Sequence, residues 1–88
     1  MYFEEIPNIH KEINKRFFMV VEILRQSRQI RGIGQLAREW NTSRFTLSWA
    51  KNHPGEKRLK VEHLYYLAKD YNVSLDYLFF GIGPMFKK

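Results

Sequence analysis

Residues 34–53 read GQLAREWNTSRFTLSWAKNH, and the rest of the chain can be read outward from them. Leu36, Ala37 and Trp40 recur at three- and four-residue spacing, which gives a first short helix one apolar stripe. Asn41-Thr42-Ser43 interrupts that stripe. Asparagine tolerates the left-handed backbone that follows a helix C-terminus. Ser43 is placed to cap a second helix by accepting from the amide of residue 45 or 46. From Arg44 onward, a wheel of 100° per residue puts Thr46, Leu47 and Ala50 on one side. Arg44, Phe45, Ser48, Trp49 and Asn52 fall on the other. The first set is small and apolar enough to pack; the second carries a guanidinium, two aromatic rings, a hydroxyl and an amide.

Charge singles out the same region. The chain has 88 residues and a formal net charge of +6. Residues 25–60 hold nine basic side chains against Glu39 and Glu56, a net +7, so the remainder is slightly acidic. A basic stretch centred on two short helices with a tight turn points to a polyanionic partner and to a helix-turn-helix at about 33–53. A solvated basic face is the alternative reading of the same charges. Lys51, Lys57, Arg58 and Lys60 are the expected phosphate neighbours.

The remaining chain reads as helices. Length predicts one domain over 1–88, and 44% hydrophobic residues suffice for one core. Residues 1–7 are an N-terminal extension, and Pro7-Asn8 is the expected start of the first helix, with Glu12 in its first turn. Ile9, Ile13, Phe17, Val20, Val21 and Leu24 continue a stripe to about Arg28, while Phe18 and Met19 point elsewhere. Ile30 to Gly34 is a linker in which two glycines break the helix and two isoleucines plug the core. His53 to Arg58 is a polar turn marked by Pro54-Gly55. Val61, Leu64, Tyr65, Leu67, Ala68 and Tyr71 predict a fourth helix ending near Asn72. Ser74 caps a fifth, Leu75 to Phe80, which Gly81 stops. The fold class is all-α with five helices.

With those residues laid out, the chain resembles the lambda-repressor-like DNA-binding domains, the Cro and phage-repressor type, from about Phe17 to Phe80. The resemblance rests on Leu36-Ala37, Ser43-Arg44, Leu64, Leu67-Ala68 and above all Asn72-Val73-Ser74-Leu75-Asp76-Tyr77-Leu78. EINKRFF at 12–18 and the Gly-Pro-Met-Phe tail also look like short regulators of phages and their bacterial hosts. The resemblance implies that Arg44, Phe45, Ser48 and Trp49 meet bases in the major groove of double-stranded DNA. It also implies phosphate contacts around Gly32–Gln35, at Ser43 and Asn52, and in the following loop. Two positions depart from the family pattern. Gly32-Ile33 stand where the family often has Thr-Gln, leaving Gln35 as a substitute, and Trp49 replaces a polar or basic side chain.

For Arg44, contact with the O6 and N7 acceptors of guanine competes with a plain solvated position. Phe45 and Trp49, one turn apart, suit either thymine methyl groups and sugars or a core stripe. His10, His53 and His63 sit in separate elements with no cysteine beside them, so no metal and no cofactor is expected. Ser43, Ser48 and His53 lack a neighbouring acid or a phosphate-binding loop, so the chain is not expected to be an enzyme. No apolar run reaches the roughly 20 residues that span a bilayer, and the acidic N-terminus is no signal peptide; a cytoplasmic location with no membrane contact follows as the expectation. No small-molecule ligand is evident. The expected function is sequence-specific DNA binding by a transcriptional regulator, with an interaction module such as a toxin–antitoxin antitoxin as the alternative. Tyr77, Phe79, Phe80, Ile82, Met85 and Phe86 crowd the C-terminal end, suggesting either a homodimer through the tail or a tail folded over the first helix.

Overall fold

The computed structural model describes residues 2–53 and 59–87, with side chains from Ile9 onward. These residues are all-α: α1 (Tyr2–Gln26), α2 (Ile33–Glu39), α3 (Arg44–Asn52), α4 (Val61–Tyr71) and α5 (Leu75–Phe80). The only β pairing among them is an isolated antiparallel bridge between Val73 and Phe86. α1 packs on α3 and α5, α2 on α3, and α4 on α5. The core gathers Phe17, Val20 and Leu24 of α1, Leu36 of α2, Leu47 of α3, Leu67 of α4 and Leu78 of α5, all fully buried. Burial of each such side chain contributes roughly 1.5–3 kcal/mol.

α1 starts earlier than the sequence suggests. The expected start at Pro7-Asn8 is corrected to Tyr2, and the helix runs through Pro7. At the other end, neither glycine of the linker stops α1. The Gln29 amide donates to the Leu24 carbonyl (2.9 Å) and the Arg28 amide to that of Arg25 (3.1 Å). This closure leaves Arg28 in the left-handed region at φ 65°, a place usually given to glycine. Gly32 is needed instead as the N-cap of α2, at φ 156° and ψ −169°, a conformation essentially closed to other residues. Gly34 and Ile33 are helical, so the linker is shorter than the expected 30–34; Ile30 is buried and Ile33 half-buried.

α4 and α5 follow their punctuation. Asn72 closes α4 in the left-handed conformation, the Ser74 hydroxyl accepts from the Tyr77 amide (3.3 Å), and left-handed Gly81 ends α5. The α4 stripe is narrower than expected: Leu64, Leu67 and Ala68 are buried, but Val61 is 73% exposed and Tyr65 is also outside. The tail turns back beside residues 72–74. The Ser74 amide donates to the Met85 carbonyl and the Lys87 amide to that of Asn72, both at 2.9 Å. Met85 and Phe86 thereby pack against the core, while Phe80 and Ile82 remain exposed. Arg16 ties α1 to the end of α5 by donating to the Leu78 and Phe79 carbonyls, both at 2.9 Å.

His63 is buried in the first turn of α4, where its Nδ1 accepts from the Lys60 amide (3.3 Å). Burial pushes its pKa below the ordinary histidine value, and the Lys60 charge acts the same way. A group whose pKa is depressed on folding adds stability that is complete above the unfolded value and is lost as pH falls through the folded one. Thermal stability should therefore decline as pH drops below about 6.5, the unfolded histidine value. The variant His63→Asn, which keeps an acceptor for Lys60 but cannot titrate, should lose that part of the decline. Parallel melting curves of the two proteins between neutral and mildly acidic pH check this; identical pH profiles would show that His63 is not the group responsible.

Candidate nucleic-acid interface

α2 and α3 are joined as their sequence requires. The Trp40 amide closes α2, Asn41 turns the chain at φ 52°, and the Thr42 amide donates back to the Ala37 carbonyl (2.9 Å). Ser43 then caps α3, its hydroxyl accepting from the Thr46 amide (3.3 Å). Leu47 and Ala50 are fully buried and Thr46 half-buried, which fixes which side of α3 faces the core.

The opposite side is divided in two. On the wheel, Arg44, Ser48 and Lys51 form one edge, Phe45, Trp49 and His53 the other, and Asn52 lies between them. The first edge borders an open cleft of about 880 Å³ formed with the end of α1 and the start of α2. Arg25, Arg31 and Arg38 join Arg44 and Lys51 around it, so five cations converge from three helices and a loop. The Arg44 side chain lies across Gly34, where a Cβ would sit 3.7 Å from its Cδ and Nε atoms. Among the described residues, Glu22 is the one carboxylate at the cleft. Arg25 grips it from the next turn, with Nε donating to Oε1 at 3.1 Å, and that hydrogen bond holds the carboxyl below its usual range. Lys51 also lowers it, which places that ammonium near α1.

The second edge is aromatic. Phe45 is 75% exposed and Trp49 42% exposed, so neither belongs to a core stripe. Their rings are nearly parallel with centroids 6.4 Å apart, and Trp49 stacks on His53 at 3.8 Å. His53 Nδ1 lies 3.2 Å from the Trp49 carbonyl oxygen, which holds the imidazole in place. Three rings at successive turns therefore make a ridge on the surface.

Other expected contacts are distributed less simply. Gln35 lines the cleft, but its amide is engaged at both ends: Oε1 accepts from the Arg31 amide and Nε2 donates to Glu39, each at 2.8 Å. Lys60 is exposed at the N-cap of α4 and does not line the cleft. Lys57 and Arg58 lie outside the described residues. Sequence marks Arg25, Arg31 and Arg38 only by their charge, and the packing of α1, α2 and α3 brings them to Arg44. No group of three or more potential metal ligands forms among the described residues, and no helix among them is long and apolar enough to cross a membrane.

Comparison with known proteins adds no relative: no protein-family model, no curated protein and no solved structure matches the chain.

The division of α3 has an optical consequence. Trp40 is buried and Trp49 is not, so an external quencher such as acrylamide should reach one indole of the native protein. The accessible component of the emission should vanish in Trp49→Phe. Quenching that survives that substitution would contradict the exposed placement of Trp49.

Proposed function

We propose that this chain binds double-stranded DNA sequence-specifically, as a transcriptional regulator of the lambda-repressor-like helix-turn-helix type, with α3 in the major groove. The observation that carries the reading is the junction of two unlike surfaces along one exposed helix: a five-cation cleft on one edge and an uncovered aromatic ridge on the other. Clustered cations suit a phosphate backbone, which positions a protein without reading sequence. The mixed face of α3 suits base edges, and Arg44 has the planar fork that guanine accepts. Arg31 and Arg38 join Lys51 as the phosphate group; Ser43 and Asn52 remain at the two ends of the reading helix. The ridge also supports a second reading, an antitoxin-like module that docks protein on Phe45 and Trp49. In that case a protein partner, and not DNA, covers those rings.

Binding to duplex DNA is expected to weaken steeply with salt, with a log–log slope of roughly −0.9 for each phosphate neutralised. Replacing Arg31 or Arg38 by alanine should lower affinity for every sequence alike and make that slope shallower by roughly one. Arg44→Ala should instead cost about 1–3 kcal/mol on the preferred site and relax preference at one base pair. Titrations of a selected site and of random duplex at several salt concentrations separate these outcomes. A flat salt response would reject the DNA reading and favour the protein-binding one.

The same proposal includes a homodimer, because one recognition helix covers few base pairs and half-sites lie about 34 Å apart. With Met85 and Phe86 packed against the core, the apolar surface left for a mate at this end centres on Phe80 and Ile82. Sedimentation equilibrium should show the native chain pairing at micromolar concentration and a Phe80→Ser, Ile82→Ser double variant remaining monomeric. A native chain that stays monomeric both free and on DNA would remove the dimer from the proposal.

A further inference from the structure

The aromatic ridge has a defined length and chemistry. Phe45, Trp49 and His53 follow one another at four-residue intervals, so the ridge runs about 12 Å along α3 at 1.5 Å per residue. That length matches three to four base pairs of duplex. Phe45 is the most exposed large hydrophobic side chain among the described residues, and its ring is backed by Trp49, which is in turn stacked on His53. Such a ring lies beside one parallel neighbour and is otherwise uncovered.

A hydrocarbon ring can neither donate to nor accept from base edges. Set against guanine or cytosine in the major groove, it would exclude water from O6, N7 or N4 and leave those groups without a partner, which costs free energy. The C5 methyl group of thymine is the apolar feature that the major groove presents. The cleft cations beside the ridge fit the phosphates of such a duplex.

We propose, resting on the DNA-binding reading, that Phe45 is a specificity-determining residue that recognises thymine methyl groups. The preferred site then carries thymine opposite the start of α3, and the preference there comes from a methyl contact and not from a hydrogen bond.

Deoxyuridine differs from thymidine by that methyl group alone, so it isolates the contact. A preferred duplex is first selected from random sequence, and each thymine is then replaced singly by deoxyuridine. At one or two positions the native protein should bind the substituted duplex about fourfold more weakly, the factor expected for one buried methyl-sized group. Phe45→Ala, at an exposed position where folding is not at stake, should bind thymine and uracil duplexes equally, and Phe45→Leu should keep part of the difference. Equal binding of every uracil-substituted duplex by the native protein would overturn the inference while leaving DNA binding intact. A difference that persists in Phe45→Ala would assign the methyl contact to another residue and overturn it too. Failure to bind any duplex would overturn both this inference and the DNA-binding reading.

Discussion

The placement of the Trp40 indole governs the rest of this small fold. Trp40 stands at the C-cap of α2, immediately before the turn into α3, and is almost fully buried. Its ring lies near-parallel to His63 and Tyr66 of α4, with centroids 6.2 and 5.9 Å away, and meets Phe17 of α1 edge-on at 6.2 Å. An aromatic side chain of this size is among the largest single contributions to a core. Its one polar atom must still be satisfied, and Nε1 donates to Asp70 of α4 at 3.3 Å. Beside it the Tyr71 hydroxyl donates to Glu39 at 2.7 Å; burial, with that carboxylate next, raises the phenol's pKa well above its ordinary value. The end of α2 is thus held to α4 by a ring and two hydrogen bonds, and the turn that launches α3 starts from a fixed point.

α3 needs such a support. Nine residues are too few to form a stable helix alone in water. Its direction is set by Leu47 and Ala50 against the core and by the Ser43 cap, both downstream of the anchored turn. α2 is shorter still, and Gly32 at its start offers no side-chain cap. The five cations of the cleft come together because α1 ends beside these two helices. Loss of the Trp40 packing would therefore act on the cleft at a distance, by releasing the turn that orients its α3 edge.

What the sequence made legible was local. Asn41, Ser43, Asn72, Ser74 and Gly81 act within one turn of where they stand, and each does what its side chain or backbone freedom predicts. Spacing identified the inward side of α3, but it could not say whether Phe45 and Trp49 faced water or a neighbour, since both answers share one periodicity. For the same reason the stripe expected for α4 includes Val61 and Tyr65, although both are exposed at its edge. In α1 neither proline nor glycine sets a boundary: Pro7 is carried inside the helix, and Arg28 takes the turn expected of the glycines. The cleft was illegible because Arg25, Arg31, Arg38 and Arg44 are joined only by tertiary packing. Gln35 shows the converse: a side chain suited to an outside partner is engaged by its own loop and helix.

Two local penalties coincide on α3. A cation in a first turn opposes the helix dipole, and Arg44 stands there with no acidic residue in that turn. A large exposed aromatic pair invites association, and Phe45 with Trp49 supplies one. α4 and α5, by contrast with α3, each carry an acidic residue in the first turn, Glu62 and Asp76. Among the described residues Arg44 lies across Gly34 with no ion pair, and Phe45 stays exposed beside Trp49. A phosphate or base edge at Arg44 and an apolar group at Phe45 would relieve both at once. Sequences that break local rules tend to do so where a partner completes the arrangement, and here both breaks lie one residue apart at the start of one helix.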